Sequence, residues 1–165
     1  MINRIEELRK FVDGVLLNKT DVQDRRCGYV HLYGVAMACG LIAKKRGADV
    51  ELAVMAGMLH DLWAYKMKET VSLAEVENHH DENGAIYARE ALDVLQLTTA
   101  AETEIICSAI QNHSKKDGRF AEMDEVLIDA DVLQHYFYNP TFPVKIKEEE
   151  RLKKLLTEFG LDDAV

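Results

Sequence analysis

Proline is nearly missing from this chain: there are 2 in 165 residues, alongside 9 glycines. Turns draw heavily on both residue types, so a many-stranded β fold is excluded for want of punctuation. Cysteine is scarce and odd in number. Cys27, Cys39 and Cys107 lie in or beside apolar helical stretches, which argues against a disulfide framework and for reduced thiols in a cytoplasmic protein. No run of about 18 apolar residues occurs, so no membrane-spanning helix is expected. The N-terminal MINRIEELRKFV is amphipathic and charged, without the apolar core of a signal peptide. Positive charge is also short: 20 Lys and Arg stand against 29 Asp and Glu, a net charge of -9. That disfavours a broad surface for nucleic-acid polymers or anionic lipid. It leaves room for a small anionic ligand, which local charge decides.

What remains is ordinary for one globular domain: 48% apolar and 30% charged residues, in a chain long enough to bury roughly two thirds of its unfolded surface. The periodicity is helical throughout. Residues 2–17 align Ile5, Leu8, Val12, Val15 and Leu16, and residues 27–45 align His31, Val35, Ala38, Cys39 and Ile42. Gly47 ends that second helix, and Asp49 caps the next, which carries Leu52, Ala53, Ala56, Leu59 and His60. Ser72-Leu-Ala-Glu75 opens a short helix or turn, and residues 80–95 form a separate apolar face. Thr99-Ala-Ala-Glu102 opens a helix reaching His113; both openings have the capping-box pattern. Residues 122–138 predict a further helix stopped by Pro140. SKKDGRFA, residues 114–121, is the most loop-like internal stretch. The last segment, residues 143–158, has more charges than apolar positions and reads as a solvated surface helix. The N-terminal helix carries more apolar surface than one core contact needs, which suits a homodimer. The expected fold is an all-α single-domain helical bundle.

Ionisable groups interrupt the apolar faces. His31 lies with Val35 and Ile42, His60 with Ala53 and Ala56, His80 with Gly84 and Ala88, and His113 with Ile106 and Ile110. Asp61 adjoins His60, and Asp131 continues Leu127 and Ile128. Taken singly, each is an ordinary core residue with a hydrogen-bond partner; His135 and Asp129 are read that way, and His79, which faces Asn83, Glu90 and Val94, is placed outside. Together, four inward histidines and two inward aspartates would be costly as unpaired polar groups. A divalent metal relieves that cost: imidazole and carboxylate suit Mn²⁺, Fe²⁺ or Zn²⁺, whereas Mg²⁺ prefers oxygen alone. Bundle interiors are where such ligands project inward.

His31, the doublet His60-Asp61, and Asp131 resemble the H…HD…D pattern of the HD-domain superfamily of metal-dependent phosphohydrolases. HLYGVA after His31, LAVMAGMLHD into the doublet and DEVLIDADVL around Asp131 are similar in style. The resemblance spans roughly residues 26–138. It implies an all-α domain with a metal at its centre, held by His31, His60, Asp61 and Asp131. His80 and His113 match the extra histidines of branches that hold two metals. There Asp61 would bridge the ions and a water or hydroxide between them would attack phosphorus, so His60 and Asp61 carry the catalysis. One or two ions of Mn, Fe or Zn are implied, iron being favoured for a pair. The same ligand set would also serve a di-iron oxygenase, or a catalytically silent nucleotide-binding module. Hydrolytic members often place a lysine or glutamate soon after the doublet; here Leu62, Trp63, Ala64 and Tyr65 follow. The GYP signature of cyclic di-nucleotide phosphodiesterases is absent. Contacts to a small phosphorylated substrate, a nucleotide above all, are therefore sought at Arg25, Arg26, Lys66, Lys115, Lys116 and Arg119, with Trp63 and Tyr65 able to stack on a base.

Overall fold

The computed structural model describes residues 3–138, 141 and 143–161. Among them are eight helices and no strand: α1 (Arg4–Leu17), α2 (Val22–Arg46), α3 (Val50–Leu59), α4 (Leu62–Met67), α5 (Leu73–Leu95), α6 (Ala100–Asn112), α7 (Glu122–Tyr138) and α8 (Ile146–Phe159). Side chains that accept from free N–H groups fix most of the starts. Asn3, Asp21, Asp49 and Ser72 each accept from the backbone N–H three residues on. Thr99 and Glu102 complete a reciprocal capping box on α6. Gly47 ends α2 at φ 77°, a left-handed conformation that glycine adopts without steric cost.

Three boundaries differ from the sequence reading. Helix α2 begins at Val22, because Asp21 caps it five residues before the apolar face starts. Helix α5 is one 23-residue helix from Leu73 rather than a short turn followed by a second segment; nothing between Ser72 and Gly84 breaks it. Helix α8 is solvated on one side only: Leu152, Leu155 and Leu156 are buried, three positions on one face being enough to dock a highly charged helix. Helix α7 ends its description at Tyr138, and Pro140, read as its stop, lies outside the described residues.

Helix α3 is the centre. All but three of its ten residues, namely Val50, Glu51 and Val54, are buried. It packs along α2, with α6 and α7 on its other sides; α5 lies on α6, and α8 closes against α7. Gly57 permits the α2–α3 crossing. A Cβ there would stand 2.6 Å from the Ala36 Cα and 2.8 Å from its nitrogen. Among the described helices, α2 has the length and apolarity to cross a membrane, but its Leu32, Val35, Cys39, Ile42 and Ala43 form the core.

Candidate metal centre

The HD doublet sits at a joint, not inside a helix. Helix α3 stops at Leu59, His60 caps it by donating its N–H to Ala56 O, and Asp61 (φ −111°, ψ 8°) redirects the chain into α4. The chain therefore turns in the middle of the core, with the two side chains facing α2 on one side and α5 and α6 on the other. Gly84 lets α5 come close: its Cβ position is 3.0 Å from His60 O.

Four helices and the joint bring the ligand-type atoms together. His31 Nε2 lies 3.2 Å from Asp61 Oδ2 and 3.0 Å from His60 Nε2. His113 Nε2 is 3.4 Å from the other oxygen, Asp61 Oδ1, and the His80 and His113 rings are 5.1 Å apart, edge to face. Asp131 Oδ1 stands 3.7 Å from His31 Nε2 and 4.0 Å from His60 Nε2. Potential ligand atoms of His31, His60 and Asp61 fall within 4.8 Å of one another, and so do those of Asp61, His80 and His113. Asp61 thus belongs to two triads, one oxygen turned to each.

Backbone carbonyls and a glutamine orient the rings. His60 Nδ1 is 2.8 Å from Gly57 O, His113 Nδ1 is 2.6 Å from Ile110 O, and His80 Nδ1 is 3.0 Å from Glu77 O. His31 Nδ1 is 3.0 Å from Gln134 Oε1. Each partner is an acceptor, so each Nδ1 carries a proton and each Nε2 is turned inward, the orientation metal-binding histidines use. With no metal bound, a proton on His31 Nε2 bridges it to His60 Nε2 at 3.0 Å and to Asp61; a divalent ion would take the place of that proton. Asp61 Oδ1 and Asp131 Oδ1, both buried, make no hydrogen bond, although buried acceptors are otherwise almost always satisfied. The donor set fits one or two divalent ions.

The HD domain family matches residues 28–154. The chain belongs to the HD-domain family. Its fold is also that of a predicted HD-superfamily hydrolase from an uncultured Thermotogales bacterium, whose crystal structure superposes with a TM-score of 0.59 at 19% identity over 94% of this chain and 90% of that one. No curated protein matches the sequence. HD domains bind divalent metals, and the His/Asp groups of this one could hold them.

Charge in the HD site is sharply divided. Burial, together with the nearby His31 and His113, overrides the aspartates at His60 and lowers its pKa to about 3, keeping it neutral. Burial also opposes a charge on His31, but the Asp61 hydrogen bond and the Asp131 and Asp61 charges win, raising it to about 9. His113 is raised as well, the Asp61 carboxylate outweighing burial. Both aspartates stay ionised far below the carboxylate range despite burial: the surrounding histidines hold Asp61 down, and Lys116 with His135 and His31 holds Asp131 down.

The remaining sequence candidates scatter. Arg26 is exposed on α2. Lys66 lies over the Tyr87 ring, 4.2 Å from its centroid, and Lys115 donates to Asn112 Oδ1 at 2.8 Å. Lys116 alone enters the cluster: it is 6% exposed and donates to Asp131 Oδ2. Asp129, read as ordinary, is a buried carboxylate between Arg46 and Arg151.

Two neighbours belong to the site though Gln134 was not singled out from sequence and His135 was read as an ordinary residue. Gln134 holds His31. His135 is stacked on His31 at 5.1 Å, with its Nε2 3.7 Å from Asp131 Oδ1. The available signal was helical spacing, since both stand one turn after Asp131 on α7.

A cavity of about 260 Å³ opens on the site, lined by Cys27, Val30, His31, Asp61, Tyr65, Gln134, His135 and Tyr138. The larger cavity, about 620 Å³, lies away from the histidines between the 116–119 loop, α7 and α8. Arg46, Arg151, Lys116 and Lys154 on its walls are all ion-paired.

Proposed function

We propose that this HD domain is a metal-dependent phosphohydrolase acting on a small phosphorylated metabolite, most plainly a nucleotide. The observation that carries the reading is Asp61, buried, ionised and shared between two histidine groups, with Oδ1 lacking a hydrogen-bond partner. His31, His60, Asp61 and Asp131 would hold one ion, and Asp61, His80 and His113 a second. Divalent ions so held supply Lewis acidity toward a phosphate oxygen and an attacking water. The chain's own share is positional. Gly57, Ile110, Glu77 and Gln134 fix the ring tautomers, and burial keeps His60 neutral so that its Nε2 stays a ligand.

The cavity supports this substrate class. About 260 Å³ is just below the roughly 300–1,000 Å³ of ordinary ligand pockets and favours one small metabolite over a polymer strand. Among the described residues neither Lys nor Arg lines it, so bound ions would balance the phosphate charge, while Tyr65 and Tyr138 offer faces on which a base can stack.

The test is elemental analysis of the protein loaded with Mn²⁺, Fe²⁺ or Zn²⁺, with phosphate release measured over a panel of nucleotides and sugar phosphates. Two ions per chain are expected, falling to one in His80→Ala or His113→Ala. Loss of turnover is expected in His60→Ala and Asp61→Ala; full activity in either would sink the assignment. Oxygen uptake with Fe²⁺ and no phosphate release would replace it with the oxygenase reading. Binding of a nucleotide without turnover under every metal would leave a silent module.

A further inference from the structure

Asp131 reaches the site with one oxygen turned inward and the other tied up. Oδ1 faces His31, His60 and His135 with no hydrogen bond, whereas Oδ2 accepts from the Lys116 ammonium. Lys116 is an odd residue to find there. It belongs to the loop between α6 and α7, and its ammonium is buried, a placement that is costly unless something holds the loop down.

That something is Arg151, on the face of α8 turned toward the loop. Its guanidinium donates from Nε to Lys116 O at 3.1 Å and from Nη2 to Gly118 O at 3.0 Å. Nη1 donates to Glu125 Oε2 at 2.6 Å and Asp129 Oδ1 at 2.7 Å. Glu125 then reaches back to the far end of the loop, its Oε1 accepting from Phe120 N at 2.8 Å. One planar fork thus satisfies two loop carbonyls and two α7 carboxylates, a task that suits arginine and not lysine. The loop is pinned at residues 116, 118 and 120, and from there the Lys116 side chain points at Asp131.

We propose that Arg151 and Lys116 are positioning residues for the metal centre: Arg151 holds the loop, and Lys116 holds Asp131 so that Oδ1 alone is offered to an ion. The proposal rests on the reading of Asp131 as a metal ligand. It assigns Lys116 to the protein's own carboxylate rather than to substrate phosphate, and it makes α8 part of the site although no α8 side chain lines the cavity there.

The experiment is a calorimetric titration of Mn²⁺ and of Zn²⁺ into wild type, Lys116→Met, Arg151→Met and the double variant, with thermal unfolding of each. Arg46→Met is the control. Arg46 binds the other oxygen of Asp129 and also Glu158, so it ties α2 to α7 and α8, and among the described residues it makes no hydrogen bond to the loop. Loss of an outer partner costs about 10- to 100-fold in metal affinity. That loss is expected in both single variants, with the double no worse than Lys116→Met alone because both act along one path. Arg46→Met should lower the melting temperature and leave affinity unchanged. Wild-type affinity in Arg151→Met, or equal losses in Arg151→Met and Arg46→Met, would overturn the proposal and leave Arg151 a purely structural residue. Wild-type affinity in Lys116→Met would overturn it too. Should Arg151→Met fail to fold, Arg151→Gln, which keeps a polar side chain but not the fork, answers the same question. A wild type that binds neither metal would remove the metal reading itself, a result distinct from the others.

Discussion

Asp61 and Asp131 are the residues in which the whole centre can be read. Each has a buried oxygen without a hydrogen bond, and each of those oxygens faces a histidine Nε2. Asp61→Asn keeps the shape and removes the charge, so it should leave the fold and remove bound metal; elemental analysis beside circular dichroism checks both halves. Gly57 operates at the same scale by being nothing but backbone. Gly57→Ala would drive a Cβ into Ala36 Cα and N, atoms that cannot move unless α2 moves. Overpacking of this kind costs roughly 1–3 kcal/mol, measured by urea unfolding. Since α2 carries His31, Mn²⁺ affinity should fall with it.

Elements are delimited by short polar signals, and those were largely legible. Gly47, Asp49 and the Thr99–Glu102 box stand where the spacing placed them. The box is more than a local cap, because Glu102 also receives Arg4 from α1 at 2.9 Å. Its backbone bond from Thr99 and its bond from Arg4 lower its pKa from 4.5 to about 2. A depressed carboxylate contributes stability that is present above its unfolded pKa and lost as pH falls through the folded one. Glu102→Ala should therefore cost about 1 kcal/mol near neutrality, with the gap to wild type closing between pH 4.5 and pH 2; denaturant midpoints across that range check it. Helix α8 shows the limit of counting charges. Its three leucines outweigh them energetically, and Leu155→Ala, at a position 1% exposed, should destabilise by about 2–5 kcal/mol.

At the scale of the molecule, six groups from four helices and one joint meet at a point that no local pattern marks. Divalent ions that bind the folded chain and not the unfolded one raise its stability by mass action, by about 2.7 kcal/mol at a hundredfold excess over Kd. The melting temperature should therefore climb with added Mn²⁺ and fall back with chelator in wild type, and should not respond in Asp61→Ala.

By itself the sequence determined the all-helical fold, most of its caps and which histidines share apolar helix faces, because capping chemistry and a 3.6-residue period act within a few residues of each other. It also made the HD pattern recognisable, since His31 and Asp131 continue apolar helix faces and the His60-Asp61 doublet closes one. Only the tertiary structure decided which of the candidate cations reaches the histidine–aspartate cluster. Arg26, Lys66 and Lys115 looked as suitable as Lys116 in one dimension. The difference lies in Arg151, 35 residues away in sequence, whose fork folds one loop inward while the other three side chains remain with water, Tyr87 or Asn112. Burial and partnership between distant segments are properties of packing, and no spacing rule contains them.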